Sequence, residues 1–418
     1  MHELPDDRPL AGDGFTVIRR RIVLLSLTAS SALGLVASTI YVPSVPAIAR
    51  GLHTSVAHVQ LTFVGYLLAF AISMLVLGPL SDRFGRRRTV LCGLALSAVA
   101  SIICALSPTI EILIAARVLQ GIGACAGLVV GRALTREIWG PAAAAQVIAG
   151  RAIAATLMQA CAPVVGGYLQ AWIGWRANFA AVAALACLAM VLMVCFVPAR
   201  GPALHPSAGI RGIAASYRAL IATRRFIAYA FAAAGAHAGF HIFAAGAPAV
   251  LIGKFGVTPE LYGYYAALPP LGFLVGSFFS SRLTVRRGVN GMIRIGSAVL
   301  IPAGLVMLAL AMFHVPSPFA VVGPMIFVCC GSGLITPNAT AGSLGVNPQI
   351  VGAASGLGSF IQMSGAAAAT AALSLGPSGS PLALAAVIAF AGLFCVTSFG
   401  SLMQADEAPG EARARAPV

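Results

Sequence analysis

The sequence predicts an all-α membrane protein, with twelve transmembrane helices in two pseudo-symmetric six-helix halves and both termini cytoplasmic. Three observations predict it. First, 59% of the 418 residues are hydrophobic and only 9% are charged, with mean hydropathy +0.94, whereas soluble domains carry about 25% charged residues. Second, the chain holds twelve apolar runs, each near the length of about 20 residues that a span requires. Third, the net charge is +15, which on a soluble chain would point to nucleic acid. Here the basic residues gather in short connections between the runs, as in a membrane protein. No nucleic-acid partner is expected.

The first run, 22–42, follows Arg19-Arg20-Arg21. It reads as a retained span, since no small-residue cleavage pattern precedes the next charged loop. Runs at 57–80, 89–107, 111–134, 143–170 and 177–197 complete an N-terminal half. The connection 198–223 is the longest between spans and carries Pro198, Gly201-Pro202, Pro206 and several arginines. Runs at 226–250, 261–281, 293–313, 319–341, 351–375 and 381–403 make a C-terminal half, the last two parted by the uncharged Gly376-Pro377-Ser378-Gly379-Ser380-Pro381. The organisation is a tail 1–21, a half 22–197, a linker 198–223, a half 224–404 and a tail 405–418.

Orientation follows from the basic residues, all 26 of them arginine except Lys254. One side collects Arg8, Arg19 to Arg21, Arg83 to Arg88, Arg132, Arg136, Arg151, Arg200 and the arginines of the linker, of the eighth-to-ninth connection and of the C-terminal tail. The other holds only Arg50, Arg176 and Lys254. The arginine-rich side is read as cytoplasmic. The nine cysteines fall mostly inside apolar runs and read as small buried hydrophobes. No disulfide framework, metal site or cofactor is expected.

The second and third spans are joined by Gly78-Pro79-Leu80-Ser81-Asp82-Arg83-Phe84-Gly85-Arg86-Arg87-Arg88. Arginines alone would anchor such a loop in the cytoplasm. Topology does not explain Asp82 or the glycines, which allow a tight turn and close backbone approach. Gly276 to Arg282 with Arg286-Arg287 closes the eighth span in a weak echo of this stretch, without the acid. In the fourth span, Arg117 of Arg117-Val118-Leu119-Gln120-Gly121-Ile122-Gly123 lies six residues after Glu111, about 9 Å along a helix. An arginine at that depth faces a cavity or a partner, or snorkels to the interface. Gln120 shares its face at i+3. In the fifth span, Ala162-Pro163-Val164-Val165-Gly166-Gly167 reads as a bend and a close helix contact, or as ordinary small-residue packing.

These segments carry a family resemblance. The pattern G-x-L-x-D-R-x-G-R-R after the second span resembles the corresponding loop of the major facilitator superfamily. There it latches the two halves in the outward-open state, which implies a latch at Gly78, Asp82, Arg83, Gly85, Arg86 and Arg87, with the eleventh span starting nearby at Asn347-Pro348. R-x-x-Q-G-x-G resembles the fourth-helix motif of drug:proton antiporters, whose arginine is implicated in proton coupling. Pro163, Gly166 and Gly167 match the second part of the antiporter fifth-helix motif G-x-x-x-G-P-x-x-G-G, with Met158 and Ala162 replacing its upstream glycines. Together with Tyr41-Val42-Pro43-Ser44-Val45-Pro46, Val59-Gln60-Leu61-Thr62 and Gly174-Trp175-Arg176, the chain resembles the Bcr/CflA branch of drug-efflux transporters.

One departure from that branch bears on mechanism. Its usual first-helix acid stands in a T-D-M-Y-x-P context, and here Thr39 occupies that place in Ser38-Thr39-Ile40-Tyr41-Val42-Pro43. All eleven acids lie in termini, loops or span ends. His237 and His241 in the seventh span are the remaining titratable pair at depth, sharing a face at i and i+4. An ordinary histidine titrates near pH 6.5, so the pair reads either as a proton carrier or as polar cavity lining.

The resemblance implies a secondary transporter of the cell inner membrane, not an enzyme, embedded in the lipid bilayer and exporting small amphipathic drug-like compounds by proton antiport, as a monomer. Its coupling residues would be Arg117, Gln120, His237 and His241. Substrate would bind between the halves, against Thr39, Tyr41, Tyr66, Gln159, Phe240, Tyr264, Asn338 and Gln362. The missing acid also admits an importer or uniporter of a neutral metabolite on the same fold.

Overall fold

The computed structural model describes residues 17–197 and 210–414. Arg8, Arg200 and Arg415, with the adjoining parts of the tails and linker, lie outside the described residues. Among the described residues every regular element is helical. The N-terminal half contains α1 (Val17–Thr39), α2 (Val45–Gly51), α3 (Val56–Phe84), α4 (Arg86–Leu106), α5 (Ile110–Trp172) and α6 (Arg176–Phe196). After the short α7 (Ile210–Ile221) come α8 (Arg224–Pro248), α9 (Pro259–Met312), α10 (Phe319–Gly345), α11 (Val351–Ser374) and α12 (Pro381–Ala414).

Among the described residues, ten helical segments are long and apolar enough to cross a membrane, against twelve apolar runs in the sequence. The difference has two sources. The eighth and ninth runs form one 54-residue helix, α9, whose backbone leaves helical geometry at Gly288 (φ 68°, ψ 169°). The eleventh run forms α11, but its alanines, glycines and serines give it too little hydropathy to count among the ten. The 63-residue α5 breaks in the same way at Gly140 (φ 74°, ψ 165°). Unbroken it would measure about 95 Å, three bilayer cores. Only glycine enters this backbone region without strain. Gly85 (φ 92°) does the same between α3 and α4, so Gly85 and Gly288 turn the chain between the second and third helices of their respective halves.

In a membrane, helices associate without a hydrophobic force, and small residues let backbones approach. A Cβ on Gly127 would lie 1.9 Å from the Ser30 carbonyl oxygen, and one on Gly276 would lie 2.0 Å from that of Cys330. The halves meet along two seams, α5 against α9 and α3 against α11. Where α5 ends and α9 begins, a Cβ on Gly167 would fall 2.3 Å from the Pro259 carbonyl oxygen, and one on Gly263 would fall 2.6 Å from the Val164 Cα. Gln60 on α3 donates to the Ala245 carbonyl across the halves at 3.2 Å. Linker helix α7 covers the start of α11 through Leu220, which packs with Phe226, Ala354 and Leu357.

The cysteines correct one expectation. Cys104, Cys125, Cys329 and Cys395 are buried, but Cys92, Cys161, Cys187 and Cys195 are exposed. A small, weakly polar side chain is tolerated facing acyl chains as well as facing a core, so an apolar run does not by itself bury its cysteine.

Candidate functional site

A cavity of about 380 Å³ lies between the halves. Its walls come from α1, α3, both arms of α5, and α8 to α11. Of the residues expected to meet a substrate, Gln159, Phe240 and Gln362 line it, as does His237. Phe273, Met74 and Met363 supply apolar surface, and Ser31, Thr156, Ser332 and Ser359 supply hydroxyls. Thr39 borders a small side pocket with Pro163 and Phe240, and its hydroxyl donates to the Leu35 carbonyl at 3.1 Å.

Four other expected residues lie elsewhere, each for a definable reason. Tyr41 and Tyr66 face into the N-terminal half, where their rings sandwich Arg117, its Cζ 4.4 and 4.3 Å from the ring centres. Asn338 donates to Ser280 Oγ at 2.6 Å and to the Leu334 carbonyl at 2.8 Å, and accepts from Thr284 at 2.9 Å, so its amide is consumed in holding α9 to α10. Tyr264 is 51% exposed, and its hydroxyl meets that of Tyr168 at 3.1 Å across the α5–α9 seam.

Arg117 is fully buried at 0% exposure yet does not line the cavity. Its Nη1 donates to the Ala37 carbonyl at 3.0 Å and to Gln120 Oε1. Gln120 in turn donates to Ser101 Oγ at 2.7 Å. The Nε and Nη2 atoms have no hydrogen-bond partner among the described residues, and aromatic faces cover the guanidinium in their place. A backbone carbonyl, the Gln120 amide oxygen and two aromatic rings thus surround a guanidinium that has no carboxylate partner among the described residues.

His237 and His241 are brought together, Nε2 to Nε2, at 3.1 Å. Such a contact holds one proton between two ring nitrogens, one donating and one accepting. His241 is 3% exposed and tilts against the Phe63 ring, centroids 5.9 Å apart.

The Gly78–Arg88 stretch binds within the N-terminal half. Asp82 pairs with Arg86 at 3.6 Å and Arg86 with Glu137 at 3.2 Å. Arg87 Nη2 donates to the Val194 carbonyl at 2.7 Å, at the end of α6, and Arg83 lies over the Phe84 ring. Gly85 needs its positive φ. A Cβ on Gly78 would meet nothing within 4 Å, so the close approach expected at Gly78 is not made here. Pro163, Gly166 and Gly167 sit in α5, whose backbone departs from helical angles only at Gly140. Their stretch is a contact surface: a Cβ on Gly166 would lie 1.7 Å from the Ile40 carbonyl oxygen.

The largest revision concerns two arginines read as loop charges. Arg132 and Arg151 line the cavity. Arg151, 4% exposed, reaches between α1 and the first arm of α5. It donates to the carbonyls of Leu27 at 2.7 Å and Gly131 at 2.9 Å, and to the hydroxyls of Ser31 and Thr135. The signal was present in the sequence, since a run bounded at 143–170 already encloses Arg151. An ionisable residue inside a span is a functional candidate by default. No carboxylate is among the lining residues.

A bundle of membrane-length helices divided around a central polar and aromatic cavity defines a multi-pass membrane transporter. The chain belongs to the Major Facilitator Superfamily, whose family model matches residues 27–370, a family of transporters and not of enzymes. It is 27% identical over 335 residues to Multidrug resistance protein D of Escherichia coli (strain K12), covering 80% of this chain and 84% of that one. It is 28% identical over 327 residues to a chloramphenicol resistance protein of Pseudomonas aeruginosa, covering 77% and 76%. A D-xylose–proton symporter structure shares the fold with TM-score 0.73 and 14% identity, covering 90% of this chain and 97% of that one. The named relatives are those of the Bcr/CflA-type branch that the motifs resemble.

Proposed function

We propose that the protein exports small amphipathic drug-like compounds across the inner membrane by alternating access, as a twelve-helix transporter with both termini cytoplasmic. The observation that carries this reading is the cavity of about 380 Å³ between the halves, drug-sized by the scale of ligand pockets. Its polar, aromatic and thioether lining suits amphipathic ligands. The relatives named for multidrug and chloramphenicol resistance support the same direction. The α5–α9 contact at Gly167 and Gly263 would close the outer end, and the cavity would open inward past Arg132 and Arg151. Expression in an efflux-deficient bacterial host tests the reading. Raised resistance to phenicol-like compounds is expected, and unchanged susceptibility to every neutral and anionic compound tried, at normal protein levels, would refute it.

Two features of the cycle follow as proposals. The Gly78–Arg88 stretch would be the latch of the outward-open state; that Asp82 pairs, among the described residues, with Arg86 of its own half supports reading the latch as released in this conformer. Asp82→Asn then leaves insertion intact but cuts transport by tenfold or more, on the order of the 1.4 kcal/mol expected of one charge-assisted contact. Full transport by normally expressed Asp82→Asn protein would remove the latch from the account.

Proton coupling is assigned to the His237–His241 pair, since arginine stays charged through the cycle and no carboxylate lines the cavity. In inverted vesicles with an imposed pH gradient, the double change His237→Gln and His241→Gln should leave transport but abolish its dependence on the gradient. Gradient-driven transport that survives the double change excludes the pair. Gradient-independent transport by the parent protein would instead favour a uniporter of neutral metabolites, a reading the carboxylate-free cavity keeps in play.

A further inference from the structure

We infer that Arg132 and Arg151 form an anion-binding subsite in the cavity and that the preferred substrates are amphipathic organic anions, carrying a carboxylate or similarly compact acidic group. This rests on the cavity being the transport site and specifies its substrate class. Arg151 is held by four neutral acceptors, the Leu27 and Gly131 carbonyls and the Ser31 and Thr135 hydroxyls. Its Nε has no partner among the described residues. Arg132, the residue after the Gly131 that Arg151 grips, lines the same cavity and has no hydrogen-bond or ion-pair partner among the described residues.

Two guanidiniums thus share one cavity wall with no carboxylate beside them. The other titratable side chains lining it are His237 and Cys329, neither of which supplies a balancing negative charge as an imidazole or a thiol. For Arg151, 4% exposed, holding a charge away from water without a charged partner is costly, whereas Arg132 is exposed to the cavity. Arg151 nevertheless carries a prebuilt set of neutral hydrogen bonds that fixes its planar fork in place. An arriving anion would supply the absent charge and accept from the exposed Arg132 guanidinium, with Arg151, its Nη donors committed to the protein, contributing its charge. An organic cation would meet two like charges and no acceptor of opposite sign. Leu35, Phe240, Phe273 and Met363 offer the apolar body of such a ligand its own surface, so acid and tail are bound by different parts of one cavity.

The test is equilibrium binding of three matched tricyclic probes to the purified protein in lipid nanodiscs: 9-anthracenecarboxylate, 9-anthracenecarboxamide and 9-anthracenemethylammonium. The carboxylate should bind about tenfold or more tighter than the carboxamide, the scale of one charge-assisted hydrogen bond, and the ammonium weakest. In Arg132→Gln and in Arg151→Gln the carboxylate-to-carboxamide ratio should fall toward one. Arg132→Lys should retain most of it, which an indirect effect on folding would not reproduce. Because Arg151 also ties helices together, Arg132→Gln decides the matter if Arg151→Gln does not fold. Equal binding of the three probes, no detectable carboxylate binding, or a carboxylate preference that survives Arg132→Gln would each overturn the subsite. The export reading would then stand or fall separately on the susceptibility assay.

Discussion

A single methyl group at position 167 is expected to slow transport by roughly 5- to 150-fold while leaving the protein folded in the membrane. In Gly167→Ala the new Cβ would sit 2.3 Å from the Pro259 carbonyl oxygen, and Gly263→Ala would place one 2.6 Å from the Val164 Cα. Both obstacles are backbone atoms, which cannot turn aside as a flexible side chain would. Each glycine lies against backbone of the opposite helix in the seam where α5 of one half meets α9 of the other. Overpacking costs about 1–3 kcal/mol, and here the cost falls only on the conformer in which that seam is closed. The balance between conformers therefore shifts by roughly 5- to 150-fold, and a cycle that must pass through both slows accordingly. Gly323→Ala provides the comparison, since its Cβ would meet nothing within 4 Å and alanine is the better helix former. Transport rates in vesicles at matched protein levels decide it. A Gly167→Ala protein that transports at the parental rate would show that this seam does not close during the cycle.

The second large effect is on stability. Arg117→Ala should destabilise the N-terminal half by about 3 kcal/mol or more, combining the void left by a large side chain with the loss of partners for buried polar groups. Arg117 is fully buried, bonds to the Ala37 carbonyl and Gln120, and is stacked between Tyr41 and Tyr66. Arg117→Lys keeps the charge and loses the planar stacking, so it should fall between the two. The readout is the unfolding temperature of purified protein in detergent. If Arg117→Ala unfolds at the parental temperature and instead alters the pH-gradient dependence of transport, Arg117 acts in coupling and is more than a structural pin.

What was legible in the sequence follows from how each feature is encoded. Spans are written as apolar runs, and the helices sit where those runs fall, α11 included, although its small residues trade hydropathy for packing. The turns at Gly85 and Gly288 are written as glycine beside arginines, and both have the positive φ that glycine permits. The histidine pair is legible because i and i+4 share a helix face, and the two rings do meet. Side-chain direction across the bundle is not written this way. Tyr41 and Tyr66 are aromatic residues in apolar runs, as Phe240 is, but the turn after α1 and helix α3 aim them at Arg117 while Phe240 faces the cavity. Asn338 is polar and deep, yet Ser280 and Thr284 one helix away absorb its hydrogen bonds. Arg151 was obscured by counting arginines as topological markers, a rule that holds for loops and fails eight residues inside a run that begins at 143. Thr39 marked the missing acid; that Arg117 would be held by a carbonyl, an amide oxygen and two rings was not legible in the sequence.

The central claim is outward transport of a drug-like compound through the cavity between the halves. Inside-out membrane vesicles containing the protein, energised and supplied with radiolabelled chloramphenicol, test it most directly, because the label must move inward in the sense that corresponds to export from a cell. Accumulation above that of vesicles lacking the protein, slowed in Gly167→Ala and retained in Gly323→Ala, is the predicted result. Absence of accumulation by well-expressed parent protein, or accumulation that Gly167→Ala leaves intact, would contradict the account.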